Sequence, residues 1–208
     1  MKLRVLLLAL ALGAGPALAA PQPEGKVDMA EVLKPGPLPE LSFGPTEGVP
    51  TIVEYASVTC PHCAAFDKTV WPKLKAAYVD TGKVRYIFRE FSRNPLDVAA
   101  FTLSRCNGDD KAMATDELLF ATQDKWAFVE NPLEPLLTAL RPTGLAREKA
   151  MACLKDNALI GKVRQITETA NKVVNVQGTP TFVIDGKTYG GELSMEDFDT
   201  LLKPLIKP

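Results

Sequence analysis

Cys60 and Cys63, set in Cys60-Pro61-His62-Cys63, are the residues of this chain best suited to chemistry. The run Thr51-Ile52-Val53-Glu54-Tyr55-Ala56-Ser57 before them is rich in β-branched and apolar residues and predicts a strand, and the residues from Ala64 to Trp71 read as a helix. The first thiol therefore falls at a helix N-terminus, where free backbone N–H groups and the helix dipole favour an anion. A thiolate is the species that attacks and leaves in disulfide exchange. Cys60 is thus the expected nucleophile, the more exposed of the pair. Cys63, about a turn inside the helix, is the expected buried resolving thiol. Pro61 suits the first helical turn, because its missing N–H would be unpaired there anyway. His62 can donate a hydrogen bond, or present a positive charge, to the Cys60 sulfur. The competing readings are a zinc half-site and two buried structural thiols. Zinc usually takes four ligands. His62 is the only histidine and lies between the two thiols, and Cys106 and Cys153 are far apart in the chain. No metal and no cofactor is expected.

The elements that position this pair follow a targeting segment. Lys2 and Arg4 form a positive start, Val5 to Leu12 an apolar run, and Ala17-Leu18-Ala19 a cleavage site, so residues 1–19 read as a signal peptide. The apolar run is shorter than the ~20 residues that span a bilayer. Removing Lys2 and Arg4 from the 24 basic residues leaves 22 against 25 acidic ones, a formal net charge of −3. That balance argues against nucleic acid as a partner and against strong electrostatic attraction to membranes. An exported chain with four cysteines belongs in an oxidising compartment. The periplasm is the expected location.

Residues 20–50 are rich in Pro and Gly and exclude a long helix, leaving room for a short turn over Asp28–Lys34 and an edge strand over Leu38–Phe43. Thr51–Ser57, a motif helix from about Cys63 to Val79 with a kink at Pro72, and the strand Val84–Phe91 make a βαβ unit, which favours a parallel pair. From 95 to 174 the pattern is helical. Thr181–Ile184 and Lys187–Tyr189 flank Asp185-Gly186, a strong hairpin signal. Ser194 caps a final helix over Met195–Leu202, with Asp197 as its capping-box partner. Trp71, Trp126 and Phe128 read as packing residues, with Trp126 in a peptide groove as the lesser alternative. Arg85, Arg89 and Arg93 read as solvated.

This order, with Glu54-Tyr55-Ala56-Ser57-x-x-Cys60-Pro61-His62-Cys63 after the second strand and Thr179-Pro180 before the hairpin, resembles the DsbA family of periplasmic thiol–disulfide oxidoreductases. The segment Tyr78-Val79-x-Thr81-Gly82-Lys83-Val84-Arg85-Tyr86 and the second cysteine pair are similar to the family's alphaproteobacterial branch. The resemblance implies an α/β, thioredoxin-like fold, with the thioredoxin-like part over 51–94 and 175–208 and a helical insertion over 95–174.

The resemblance also implies roles. Glu54 shares a strand face with Ile52 and Ala56, and the family places a buried acid there beneath the cysteines. It would relay the proton of Cys63; the alternative is a glutamate at a sheet edge. Thr179-Pro180 would be a cis bond packed against the Cys pair, with the Thr179 backbone pairing to an extended substrate. Threonine at that position also occurs in the family's isomerases. Cys106 and Cys153 are expected to form a structural disulfide, favoured by export and by the even count; the alternative is two buried thiols. The expected function is donation of the Cys60–Cys63 disulfide to reduced secreted proteins by a monomer, with reoxidation by a DsbB-like quinone-linked membrane partner. The alternatives are an isomerase or reductant of the same fold, or a non-catalytic binding module with a structural Cys pair.

Overall fold

One mixed sheet carries the core and sets the position of the cysteine motif. The computed structural model describes residues 20–206, so the segment read as a signal peptide lies outside the described residues. In chain order the elements are β1 (Gly25–Lys26), α1 (Met29–Val32), β2 (Leu41–Phe43), β3 (Thr51–Ala56), α2 (Pro61–Thr69), α3 (Trp71–Leu74), a π turn (Lys75–Val79) and β4 (Arg85–Glu90). Then come α4 (Pro95–Cys106), α5 (Asp109–Ala121), α6 (Gln123–Trp126), α7 (Leu133–Ala139), a 3₁₀ turn (Arg141–Thr143), α8 (Arg147–Cys153) and α9 (Asn157–Val173). The chain closes with β5 (Thr181–Ile184), β6 (Lys187–Gly190) and α10 (Met195–Leu202).

The sheet order is β1-β6-β5-β3-β4-β2. Only β3 and β4 run parallel, as the helical connection between them requires; β5 pairs antiparallel with β3 and β6, and short β1 and β2 cover the two edges. Alternation along β3 divides its side chains between two cores. Ile52 and Ala56 face a large cluster with Cys60, Cys63, Phe66, Phe182 and Phe198. Val53 and Tyr55 face a smaller one with Ile87, Ala170 and Val174, covered by α9. Glu54 belongs to the first face and is only 3% exposed on a central strand, which excludes the sheet-edge alternative.

The motif helix is not continuous. It starts at Pro61, two residues earlier than the sequence suggests, and breaks at Val70, just before Pro72, which has no backbone N–H to continue the ladder of helical bonds. A π turn then carries the chain to Asp80. The insertion packs on itself and on α2: α4 lies against α5, α8 and α9, and α5 against α2. Cys106 at the end of α4 and Cys153 at the end of α8 are joined, with Cα atoms 6.1 Å apart.

Two readings of side chains are corrected, and one alternative is removed. Arg89, expected in solvent, is buried, because it sits opposite Tyr55 in the β3–β4 register and bonds the Tyr55 hydroxyl (3.0 Å) and Glu40 (3.0 Å). Trp126 is a packing residue as expected, wholly buried and donating to the Leu119 carbonyl, which removes the peptide-groove alternative. Phe128, expected in the packing, is 61% exposed beyond the end of α6.

Candidate active site

Cys60 is the N-cap of α2, with extended backbone (φ −88°, ψ 121°), and Pro61 occupies the first turn. Both cysteines are free thiols and both are buried, Cys60 at 2% exposure and Cys63 at 1%. Cys60 is thus the more exposed of the pair only by a small margin and is itself covered. The Gly178–Thr181 segment lies over it, and the Cys60 thiol donates to the Thr179 carbonyl at 3.1 Å.

The two sulfurs differ sharply in acidity. The Cys60 thiol is lowered to about 5, chiefly by a hydrogen bond from the Cys63 thiol; burial opposes this, and the Thr179 side chain and the Cys63 and His62 backbone N–H groups add to it. Thr179 Oγ1 is buried and has no hydrogen-bond partner among the described residues. Cys63 is pushed well above the ordinary thiol range, first by burial and then by Cys60 and Glu54. A charge shared by two neighbouring sulfurs settles on the one facing the N–H groups.

Of the two roles expected for His62, the geometry leaves the charge and removes the hydrogen bond. Its imidazole makes no hydrogen bond to the Cys60 sulfur. Nδ1 instead meets Glu192 Oε1 at 2.5 Å, because a full carboxylate within reach outcompetes a polarised sulfur. The bond and charge of Glu192 raise the His62 pKa, and Cys60 adds to the rise. His62 thus serves Cys60 through its backbone N–H and as a nearby charge.

Beneath the pair, Glu54 accepts a hydrogen bond from the Tyr86 hydroxyl. Burial raises the Glu54 carboxyl to about 8 against the lowering effect of Tyr86, with Asp67 and Cys60 pushing it further. At neutral pH Glu54 therefore carries a proton beneath Cys63. Asp67, one helical turn after Cys63, is raised to about 7 by burial and by Glu117.

The Thr179–Pro180 bond is cis. The Pro180 carbonyl accepts from the Gly191 N–H at 2.9 Å, which ties the cis loop to the turn that carries Glu192. The structure thus brings Cys60, Cys63, His62, Pro61, Glu54, Thr179 and Pro180 to one end of the sheet. Cys106 and Cys153 lie apart from them in the insertion.

Four contributors were not found in the sequence. Asp97, in the first turn of α4, accepts from Ser57 Oγ (2.8 Å), the Thr59 N–H (3.0 Å) and the Arg93 N–H (2.9 Å), and so pins the loop that enters the motif. Gln123 Nε2 donates to the Val58 carbonyl (2.7 Å) and the Cys60 carbonyl (3.0 Å). Both come from the insertion, and neither residue stands out in a one-dimensional pattern. Tyr86 could have been found, since alternation on β4 puts it on the Glu54 face. Glu192 had no signal, being 130 residues from His62. Among the described residues no three His, Cys, Asp or Glu side chains gather as a metal site.

Comparison with known proteins places this geometry. The family model described as "Thioredoxin" matches residues 38–204. A Rickettsia bellii protein named "Putative protein-disulfide oxidoreductase" is 35% identical over 149 residues, covering 71% of this chain and 57% of that protein. The chain thus spans about half the length of such rickettsial relatives, 57% and 50% in two of them. The crystal structure of Wolbachia pipientis alpha-DsbA1 superposes with a TM-score of 0.75 at 27% identity, covering 84% of this chain and 94% of that one. A protein-disulfide isomerase from Novosphingobium aromaticivorans shares the fold, with a TM-score of 0.67 at 24% identity, over 77% of this chain and 94% of that one.

Proposed function

Because this chain belongs to the DsbA-like protein-disulfide oxidoreductases of the thioredoxin fold, we propose that it is a periplasmic dithiol oxidase that donates its Cys60–Cys63 disulfide to reduced exported proteins. The observation that carries this is the split between the two sulfurs: Cys60 ionises at about 5 while Cys63 holds its proton well above the ordinary range.

In the oxidised protein a substrate thiolate attacks the Cys60 sulfur. The Cys60–Cys63 bond breaks, Cys63 leaves with the electron pair, and Glu54 supplies its proton. A second substrate thiolate then attacks the substrate sulfur of the mixed disulfide. Cys60 departs as the stabilised thiolate, and the substrate has lost two electrons to the pair. A low leaving-group pKa speeds that last step and makes the disulfide oxidising. The Thr179 backbone beside Cys60 would hold an extended substrate segment as a short added strand. A quinone-linked membrane partner of the DsbB type would return the pair to the disulfide.

Isomerase or reductant activity is the rival, favoured by Thr179 before Pro180 and by the name of the Novosphingobium protein. The deciding experiment is the equilibrium of the Cys60–Cys63 pair with glutathione at pH 7. An oxidase gives a potential above that of the ER-type glutathione pool, ~−180 to −210 mV. A potential near that of thioredoxin, about −270 mV, would replace the oxidase reading with the reductant one.

A further inference from the structure

We propose that Glu192 is a positioning residue of the redox centre: by clasping His62 it cancels the imidazolium charge beside Cys60, and so holds the disulfide below the oxidising strength that the motif alone would confer. The inference rests on the exchange chemistry above, and concerns how its strength is set.

Glu192 is placed by its own surroundings, not by His62. On one side the Gly191 N–H is bonded to the Pro180 carbonyl at 2.9 Å. Gly191 takes a positive φ of 79°, a turn that a side chain would resist. On the other side Ser194 begins α10 in a capping box with Asp197. Between these fixed points the carboxylate is delivered to His62 Nδ1 at 2.5 Å. The clasp joins the motif helix to the turn that is bonded to the loop presenting Thr179 to Cys60, closing a ring of contacts around the sulfur.

The charges facing this ring decide the sign. His62 and Cys63 approach Cys60 from α2, and Glu54 from β3; Arg93, in the segment after β4, is the other charge felt at His62. Glu54 holds its proton through the range in which Cys60 titrates, because burial lifts it to about 8. The clasp therefore provides the local balance. With both partners charged, it presents a net charge of zero to the sulfur. Without Glu192, an imidazolium alone would face the thiolate. Without His62, a carboxylate alone would face it.

Opposite signs are therefore expected from the two partners. In the reduced protein, followed by thiolate absorbance against pH, Glu192→Gln should lower the Cys60 midpoint by about half a unit, the scale of one charge at a hydrated site. His62→Gln should raise it by a similar amount, and the double variant should return near the wild-type value. Glu192→Asp, which keeps the charge, should stay near wild type. The single-variant shifts should shrink as salt rises from about 0.01 M to about 1 M. In the glutathione equilibrium, Glu192→Gln should be about threefold more oxidising at pH values where His62 is protonated, since half a unit is a factor of about three.

A wild-type midpoint in Glu192→Gln would overturn the proposal, as would shifts of the same sign in both single variants. A merely structural clasp would move the melting temperature of Glu192→Gln and leave the midpoint in place. The midpoint needs no substrate, so failure of the oxidase reading would show in the wild-type potential alone.

Discussion

Reduction of the Cys60–Cys63 disulfide should stabilise this protein at neutral pH and destabilise it in acid. The thiolate term comes from Cys60, whose pKa falls from the ordinary 9.0 to about 5 in the fold. A depressed folded pKa contributes nothing below the folded value, grows between the folded and unfolded values, and is complete above the unfolded one. Each unit of pH adds ~1.4 kcal/mol, so the reduced fold gains about 2.7 kcal/mol at pH 7 and about 4 kcal/mol at pH 8. The proton on Cys63 adds nothing in this range, since it stays bound in both the folded and the unfolded chain. Against the thiolate stands the disulfide, which restrains the unfolded chain: for a ring of about four residues the chain-entropy model gives ~2 kcal/mol. The two effects cross near pH 6.5, on the order of 1 kcal/mol favouring the reduced form at pH 7 and about 2 kcal/mol at pH 8. For a chain of this size that is a rise of about 4–8 °C in midpoint on reduction at pH 8, with the order reversed at about pH 5.5. The assay is thermal unfolding of both redox states from about pH 5 to pH 8, with mass analysis confirming that Cys106–Cys153 remains closed. An oxidised form that melts higher at every pH would refute the thiolate argument, and with it the oxidase reading.

Other perturbations test the parts of the site separately. Glu54→Gln should stabilise the fold at pH 7 by up to about 3 kcal/mol, because the wild-type carboxyl is raised from 4.5 to about 8 and must take up a proton on folding at every pH above the lower value. Stopped-flow reduction by a peptide dithiol should at the same time show slower departure of Cys63; unchanged kinetics would remove Glu54 from the proton path. Thr179→Val should raise the Cys60 midpoint above about 5 in the thiolate titration, since it deletes a buried, otherwise unpartnered hydroxyl free to turn toward the thiolate; an unchanged midpoint would show that the hydroxyl does not serve the sulfur. Arg105→Met should cost about 3–5 kcal/mol in denaturant unfolding by leaving Glu90 buried without its cation. A loss below about 1 kcal/mol would mean that Glu90 is protonated without strain.

What the sequence reveals of this site follows from range. The motif and the final hairpin are legible because each is local: Asp185-Gly186 turns the chain within two residues, and Ser194 meets Asp197 within one helical turn; the cis Thr179–Pro180 bond is reached only through the family resemblance. The face of Glu54 is also legible, because the period of a strand is exact. The failures concern partners far away in the chain. Arg89 looks solvated until the β3–β4 register sets it opposite Tyr55. Asp97 and Gln123 look like ordinary helix residues until the insertion folds back on the motif loop and turns both inward. Phe128 carries an apolar side chain at a position that the turn after α6 leaves in solvent, and hydrophobicity alone misplaces it.

The contrast between two buried acids on neighbouring strands argues that Glu54 is kept for chemistry. Glu90, at the end of β4, is wholly buried and receives both Nε and Nη2 of Arg105 at 2.7 Å, so its charge is matched in the way that stability alone demands. Glu54, on β3, has a phenol for its partner, and a phenol cannot balance a carboxylate charge. Burial then drives it to about 8. A strand that needed only packing would place an aliphatic residue there, as Ile52 and Ala56 are placed on the same face, and would avoid the cost of protonation. The fold supplies a buried guanidinium 15 residues from Glu90 and none to Glu54. In the proposed exchange the unmatched acid would lie beneath the one thiol that gains and loses a proton in each cycle, and there a pKa near neutrality would let the carboxyl move that proton in either direction.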